Sequence, residues 1–595
     1  MQRPKTASPP SSRTANGFRY RPLAHADGED FRLLCLYPGH THDPIRCDLL
    51  HSGLDADIEY EALSYSWATE DGDDSLSHPI ACAYVGDEHT ADFLLTSNCA
   101  SALRRLRLPA HERFLWVDAI CIDHGNVPER NHQVGLMADI YAGAAQVLVY
   151  LGEEDLGFAS RGLWLDSERR QLALTKLFAK RWVSRAWVIQ EVALARKLLM
   201  VTGDAECALD ANLMSRIRGR AKISRLKVPG PLAWDPLASA PTRDLLALLL
   251  VSRHCDSTDP RDKVYSLLGL VGERLQQLIT IDYSQSVEEV LTRTAAAIII
   301  CREDFELLAY ASLSLGPKHM EKGLPTWVPD WIEHQGDMTL RPQFQQAKIG
   351  PWRSLEKLSG SSTRAAELAQ LDWGRVVHIP SKWPHDASLA PSIVVHAHCI
   401  ATIDSTTREG MGERSRWQDA QTFARDLLAL IGNGSGPFDT DPRAWPAQYK
   451  WLFDPSYTRS RSSILQSNGS STSTSMTAEP PENIYRTAIQ QFCAELASHG
   501  QNKSVLRAGM LPAVTSHEFA EGDSVWAIDG CKVPLLLRGA GTAAPGCYRI
   551  VGNCHLFALS HLDCWSTTGA GLEQRWDFDP FRHMDVLGTQ TIQII

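Results

Sequence analysis

Along the first two hundred residues, short apolar runs alternate with amphipathic ones. RLLCLY (32–37) and IRCDLL (45–50) read as short strands, and YEALSYSW (60–67) as a strand carrying Ser64, Tyr65 and Ser66 near its carboxyl end. SNCASALRRLRL (97–108) has helical spacing, with Ser97 as its cap. RFLWVDAICI (113–122) predicts a buried strand that ends in an acid, Asp118. In the next stretch, Asn126, Pro128 and Glu129 supply a cap, a first-turn proline and a capping-box acid. QVLVYLG (146–152) is an apolar strand closed by glycine. Strands alternating with helices predict a mostly parallel sheet covered on both faces.

RWVSRAWVIQEVALAR (181–196) predicts a helix with Ser184 as N-cap. Trp187, Gln190, Glu191 and Leu194 then share one face, flanked by valines, Ile189 and Ala193. A helix apolar nearly all round is packed on most sides, so Glu191 is desolvated and its pKa rises unless a cation or donors compensate. Two readings are open. Glu191 either pairs with Arg181, Arg185, Arg196 or Arg130 and holds helix to sheet, or it is a cleft carboxylate. In open α/β sheets, ligands bind beyond the carboxyl ends of the strands, where Ser64, Tyr65, Ser66, Trp67 and Asp118 lie and where the Trp187 helix follows.

From 216 to 458 helical patterns dominate. In DPRDKVYSLLGLVGE, Asp259 reads as a cap, Pro260 as the first turn and Gly269 as a stop signal, so the motif is read as helix punctuation. RSRSSILQSNGSSTSTSMTAEPPEN (459–483) is a low-complexity linker. In 484–595 an amphipathic helix, ENIYRTAIQQFCAELASHG, precedes DSVWAID, VPLLLR and CYRIVGN, spaced as a small antiparallel sheet. Residues 1–20, rich in Pro, Ser and Thr, are expected to form a disordered tail. The domain expected to carry the chemistry is 21–215.

Composition narrows the function classes. A net charge of -11 leaves no basic footprint for a nucleic acid partner. No apolar run reaches the roughly 20 residues of a membrane helix, and the N-terminus lacks a secretory pattern, so a cytoplasmic protein is expected. The 14 cysteines include no CxxC pair, and Cys121 with His124 has no second ligand pair, so no metal site is expected. Neither GxGxxG, GxxxxGK[ST] nor GxSxG occurs, which argues against the common nucleotide folds and a serine-hydrolase elbow, and no cofactor is expected.

YEALSYSW, LWVDAICIDHGNVPERNHQVGLMADIYAGAAQVLVYLG and RWVSRAWVIQEV resemble, in order and spacing, the three blocks of the fungal heterokaryon incompatibility (HET) domain. DPRDKVYSLLGL, IDYSQSVEEV, LPTWVPDW, GMLP, GDSVWAIDG and PLLLR resemble elements that accompany it in large members. The chain departs from the usual pattern at Ala68, where glycine is common, and at His124, where glutamine is. The resemblance implies a role in non-self recognition and cell death, and a domain similar in fold to TIR domains, which are flavodoxin-like α/β modules. Some TIR domains cleave NAD at the nicotinamide–ribose bond, while others only assemble signalling complexes. Trp187-Val-Ile-Gln-Glu191 matches the Trp-to-Glu spacing of the catalytic kind. The resemblance thus implies Glu191 as catalytic carboxylate with NAD as substrate, and Ser64, Tyr65, Ser66, Trp67, Asp118 and Trp187, placed at the strand ends and the helix that follows, are the expected substrate contacts. The alternatives are an interaction or self-assembly module that docks a protein partner, and a paralogue without activity.

Overall fold

The computed structural model describes residues 17–24, 30–156, 167–223, 228–233, 244–315, 319, 322–332, 372–379, 391–403, 504–508, 511–515, 518–531, 533–541, 544–556 and 590–595. The chain divides into two units, Met1–Ile298 with Trp331–His334, and Ile299–Asp330 with Gln335–Ile595. The helix expected before the C-terminal strands, the 459–483 linker and the first 16 residues lie outside the described residues. Of residues 17–20, assigned above to the tail, Phe18 and Tyr20 are packed. Phe18 stacks on Tyr84 and meets Phe93 edge-on, and the Tyr20 hydroxyl donates to the Ile120 carbonyl at 3.0 Å.

The first unit is built on a nine-stranded sheet. Its strands are β1 (Asp30–Leu36), β2 (Arg46–Gly53), β3 (Glu61–Ser64), β4 (Leu76–Tyr84), β5 (Ala91–Thr96), β6 (Arg113–Trp116), β7 (Val147–Tyr150), β8 (Leu198–Thr202) and β9 (Ala205–Ala208). They lie in the order β5-β4-β2-β1-β6-β3-β7-β8-β9. The centre, β6-β3-β7-β8, is parallel. Its short apolar runs are buried on both faces, Val147 to Tyr150 completely, which is why they show no polar alternation. The flanks are mixed: β1 pairs antiparallel with β2 and β6, β4 with β5 and β8 with β9, while β2 runs parallel to β4. The sheet is therefore parallel at its centre, where helices lie in the connections, and mixed toward its edges.

The helices of this unit are α1 (Ser97–Leu106), α2 (Asp118–Cys121), α3 (Val127–Gly143), α4 (Ser167–Ala179), α5 (Trp187–Leu194), α6 (Ala211–Ile223), α7 (Gly230–Ala233), α8 (Leu245–Ser252), α9 (Asp262–Leu268), α10 (Glu273–Leu278) and α11 (Val287–Arg302), in which the division into units falls. Four sequence expectations change. Thr96, not Ser97, caps α1. The strand at 113–122 ends at Trp116, and Asp118 opens a helical turn, its own carboxylate accepting from the Ala119 N–H at 2.8 Å. Asn126 does cap α3, but the Glu129 carboxylate turns away from the capping box to Arg32 and the Asp123 N–H. The helix of Glu191 starts at Trp187, because Arg181–Ser184 forms a separate 3-10 turn.

The second unit contains α12 (Leu307–Ser314), α13 (Trp373–Val376), β10 (Val377–His378), β11 (Ser392–Thr402), β12 (Ser504–Ala508), β13 (Leu511–Thr515), β14 (Ser524–Ile528), β15 (Leu535–Gly539), β16 (Cys547–Asn553), β17 (His555–Leu556) and β18 (Gln590–Ile594). The expected antiparallel strands are β14, β15 and β16, and they belong to a ring. β11 pairs with β14 and β18, and β18 closes on β16, so β11-β14-β15-β16-β18 returns on itself as a small barrel. A ring with an odd number of strands needs one parallel pair, here β16–β18. Closure removes the exposed edges an open sheet would present. Ile393, Val395, Val525, Ile528, Leu535, Leu537 and Ile594 are fully buried in it. LPTWVPDW contributes Thr326, whose hydroxyl donates to the Ile595 carbonyl at 2.6 Å and accepts from the Ile550 N–H at 3.0 Å.

Candidate functional site

Among the parallel strands, chain order and spatial order differ in a useful way. β3 comes first in sequence but lies between β6 and β7, so the connections leave it toward opposite sides. The space beyond the carboxyl ends of β3 and β7 is thus a topological switch point, where open α/β sheets bind ligands. Ser64 is the last residue of β3.

Ser64 joins two residues more than a hundred positions away. Its hydroxyl accepts from the Trp182 indole N–H at 2.7 Å and donates to the Glu191 carboxylate. Ser64 and Trp182 are 1% exposed and Glu191 3%. Trp182 sits in the 3-10 turn and Glu191 in the second turn of α5, so the turn and helix converge on the strand end. Among the described residues no cation pairs with Glu191. Arg185 donates to the Tyr65 carbonyl, Arg130 lies over the Tyr283 ring, and Arg181 and Arg196 are exposed. Burial pushes the Glu191 pKa up to about 7, although the charge of Arg185 and the Ser64 bond pull the other way. A carboxylate so placed exchanges a proton near neutrality.

A second cluster stands on the next strand end. The Trp67 indole N–H donates to the Asp118 carboxylate at 2.7 Å, and the exposed His124 ring meets Trp67 edge-on at 5.0 Å. A ring nitrogen of His124 lies 3.0 Å from the Asp118 carbonyl. Asn98 donates to the Ser66 carbonyl at 2.5 Å, which fixes the turn after β3. Tyr65, 2% exposed, is a core residue whose hydroxyl faces the buried Cys99 thiol. Trp187 is half-buried. The structure therefore brings Ser64 to Glu191 and Trp67 to Asp118, while Tyr65 is buried in the core. Sequence reading does not single out Trp182 or His124 as members of these clusters. The signal for Trp182 is present, since a second tryptophan lies in the apolar stretch that carries Trp187.

Among the described residues no group of three or more His, Cys, Asp or Glu side chains could hold a metal ion, and no helix is long and apolar enough to cross a membrane.

The fold and site define a mixed α/β domain with a buried, unpaired carboxylate at the ends of its parallel strands. Residues 60–191 match the family model described as heterokaryon incompatibility protein (HET), from just before β3 to Glu191 itself. The chain is also 28% identical over 411 residues to heterokaryon incompatibility protein 6, OR allele, of Neurospora crassa. That similarity covers 53% of this chain and 60% of the relative's length. No solved structure matches the chain.

Proposed function

We propose that this protein acts in fungal heterokaryon incompatibility as a cytoplasmic cell-death effector, and that it does so by cleaving NAD with Glu191. The observation that carries the reading is a carboxylate sealed from water, with no ion-pair partner among the described residues, beside Ser64 at the switch point of a parallel sheet. A structural ion pair would need a partner, and the described residues supply none. The placement of β3 between β6 and β7 supports the TIR-like, flavodoxin-like reading of the domain.

The chemistry follows from the leaving group. Nicotinamide in NAD is cationic, so when the bond between ribose C1′ and nitrogen breaks it takes the electron pair and departs neutral, without a general acid. The ribose becomes an oxocarbenium-like cation, which a nearby carboxylate stabilises. Water then adds at C1′ and releases its proton to Glu191 or solvent. Ionised Glu191 is the active form. In the closed arrangement Trp182 and Ser64 hold it inside, so substrate engagement opens that contact. Once open, Trp67 offers an aromatic face and Asp118 a carboxylate on the adjacent strand end.

A second reading has its own observation. The Trp182–Ser64–Glu191 chain is complete as it stands, and would serve equally to lock α5 to β3 in a module that works by self-assembly or by docking a protein partner. Nicotinamide release from NAD by the purified chain separates the two. Release that disappears in a folded Glu191→Gln variant supports the enzyme. Absence of release from concentrated, folded wild type supports assembly.

A further inference from the structure

The Arg181–Ser184 turn carries Trp182, the side chain that meets Ser64 beside Glu191, and its two ends are held by different forces. On the carboxyl side the hold is main chain. The Ala186 N–H donates to the Asp256 carbonyl at 2.9 Å, and the Asp256 N–H to the Ser184 carbonyl at 2.5 Å. Arg185 adds a bond to the Tyr65 carbonyl.

On the amino side the hold is charge. No side chain caps the turn there, and Lys180 just before it is buried. The Lys180 ammonium lies 3.3 Å from the Glu154 carboxylate and 3.9 Å from that of Glu70. Glu70 also accepts from the Arg181 N–H at 3.1 Å, and Glu154 pairs with Lys176, one turn back on α4, at 2.8 Å. Glu70 belongs to the loop that follows β3, and Glu154 to the segment that follows β7. Those are the two strands whose carboxyl ends flank the switch point. One ammonium therefore ties both loops to the turn that seals Glu191. Packing alone does not call for a lysine here, because burying an ammonium carries a desolvation cost that an apolar side chain of similar length avoids.

We infer that Lys180 is an electrostatic latch on a lid, and that the Arg181–Ser184 turn swings about its Asp256 anchor to uncover Ser64 and Glu191. Glu70 and Glu154 are half-exposed, so salt reaches the charged end, while the main-chain end is indifferent to it. A lid with one weak side and one strong side moves as a hinge. When the Lys180 side lets go, Trp182 leaves Ser64 and the carboxylate opens to solvent or ligand. For its bearing on catalysis the inference rests on Glu191 being the reactive carboxylate; the latch itself does not.

The test reads the exposure of Glu191 without substrate. The full chain is treated with a water-soluble carbodiimide and an amine at fixed pH, and amide formation at Glu191 is followed by mass spectrometry of its peptide. The rate follows the population of the open lid. Lys180→Met keeps the apolar stem and removes the charge, and is expected to raise labelling about fivefold, the factor two partly exposed ion pairs can supply. Taking wild type to about 1 M NaCl, where the screening length falls to about 3 Å, gives a rise in the same direction, and Lys180→Met no longer responds to salt. Glu129, buried against Arg32, is the internal control and its labelling stays flat. Glu70→Gln and Glu154→Gln, at half-exposed positions, give smaller rises and preserve the test should Lys180→Met fail to fold. Labelling of Glu191 that neither substitution nor salt alters would overturn the latch. So would a rise shared by Glu129, which means general loosening. In nicotinamide release, the unlatched variant is expected to gain about fivefold in kcat/KM, in step with its open population. A chain that labels as expected yet releases no nicotinamide in any form sinks the enzyme reading and leaves the latch standing.

Discussion

Two glutamates of the same domain, Glu129 and Glu191, are both buried and do opposite things with burial. Glu129, 1% exposed, faces Arg32, 0% exposed, and takes two of its nitrogens, at 2.5 and 3.0 Å. It accepts the Asp123 N–H as well, so the end of the β6–α3 connection is tied to β1. This is a carboxylate whose charge is matched and whose oxygens are spoken for. Glu191 has one hydroxyl donor and, among the described residues, no ion-pair partner. The difference separates a charge kept for architecture from one left free to change, and perturbed groups of the second kind gather at functional sites.

The largest effect should come from breaking the matched pair. Glu129→Gln or Arg32→Met leaves the other charge buried and alone, and denaturant unfolding should show a loss of about 3–5 kcal/mol. A loss below about 1 kcal/mol would erase the contrast between the two sites.

Next is the pH dependence carried by Glu191. Its folded pKa, about 7, is raised above the ordinary 4.5, so the folded state holds an extra proton between those values. The contribution is fully present below about pH 4.5 and is lost as pH rises through about 7, amounting to about 3 kcal/mol in all. Glu191→Gln removes this loss. Relative to wild type, the variant should therefore melt higher as the solution is made alkaline and match it in acid. An ion pair would give the reverse, with the variant melting lower at neutral pH.

Ser64→Ala should cost about 1–3 kcal/mol, because it strands the buried Trp182 N–H, and should raise the Glu191 midpoint further by removing its donor. Thermal melts of Ser64→Ala and Ser64→Ala with Glu191→Gln across pH check both parts. The smallest effect is expected at the half-exposed second cluster. Trp67→Phe loses the bond to Asp118 at a cost of about 1 kcal/mol in urea unfolding, so a folded variant is available for NAD-binding measurements.

How far this contrast was legible in the sequence depends on range. Desolvation of Glu191 followed from the apolar residues round its helix, a local pattern. The absence of a cation partner did not, because Arg185 lies close in sequence and only the folded chain turns it to the Tyr65 carbonyl. Ser64 and Glu191 are 127 positions apart, and spacing says nothing about such a contact. Glu129 misled for the same reason: N-cap spacing predicts a local bond, and a distant arginine wins. Asp259 in DPRD likewise reads as a helix cap, yet its carboxylate binds the Arg261 guanidinium. The parallel strands were readable as apolar runs buried on both faces. The closing barrel strand, QTIQI, was not, since its partners β11 and β16 come from elsewhere in the chain.

The most direct test is nicotinamide release from NAD by wild type and Glu191→Gln across the pH range, with a thermal melt on each sample. The account expects release by wild type that climbs through about pH 7 as Glu191 ionises, and none from a variant that melts no lower. Equal release from both, or no release from either together with a variant that melts several degrees lower at neutral pH, would contradict it.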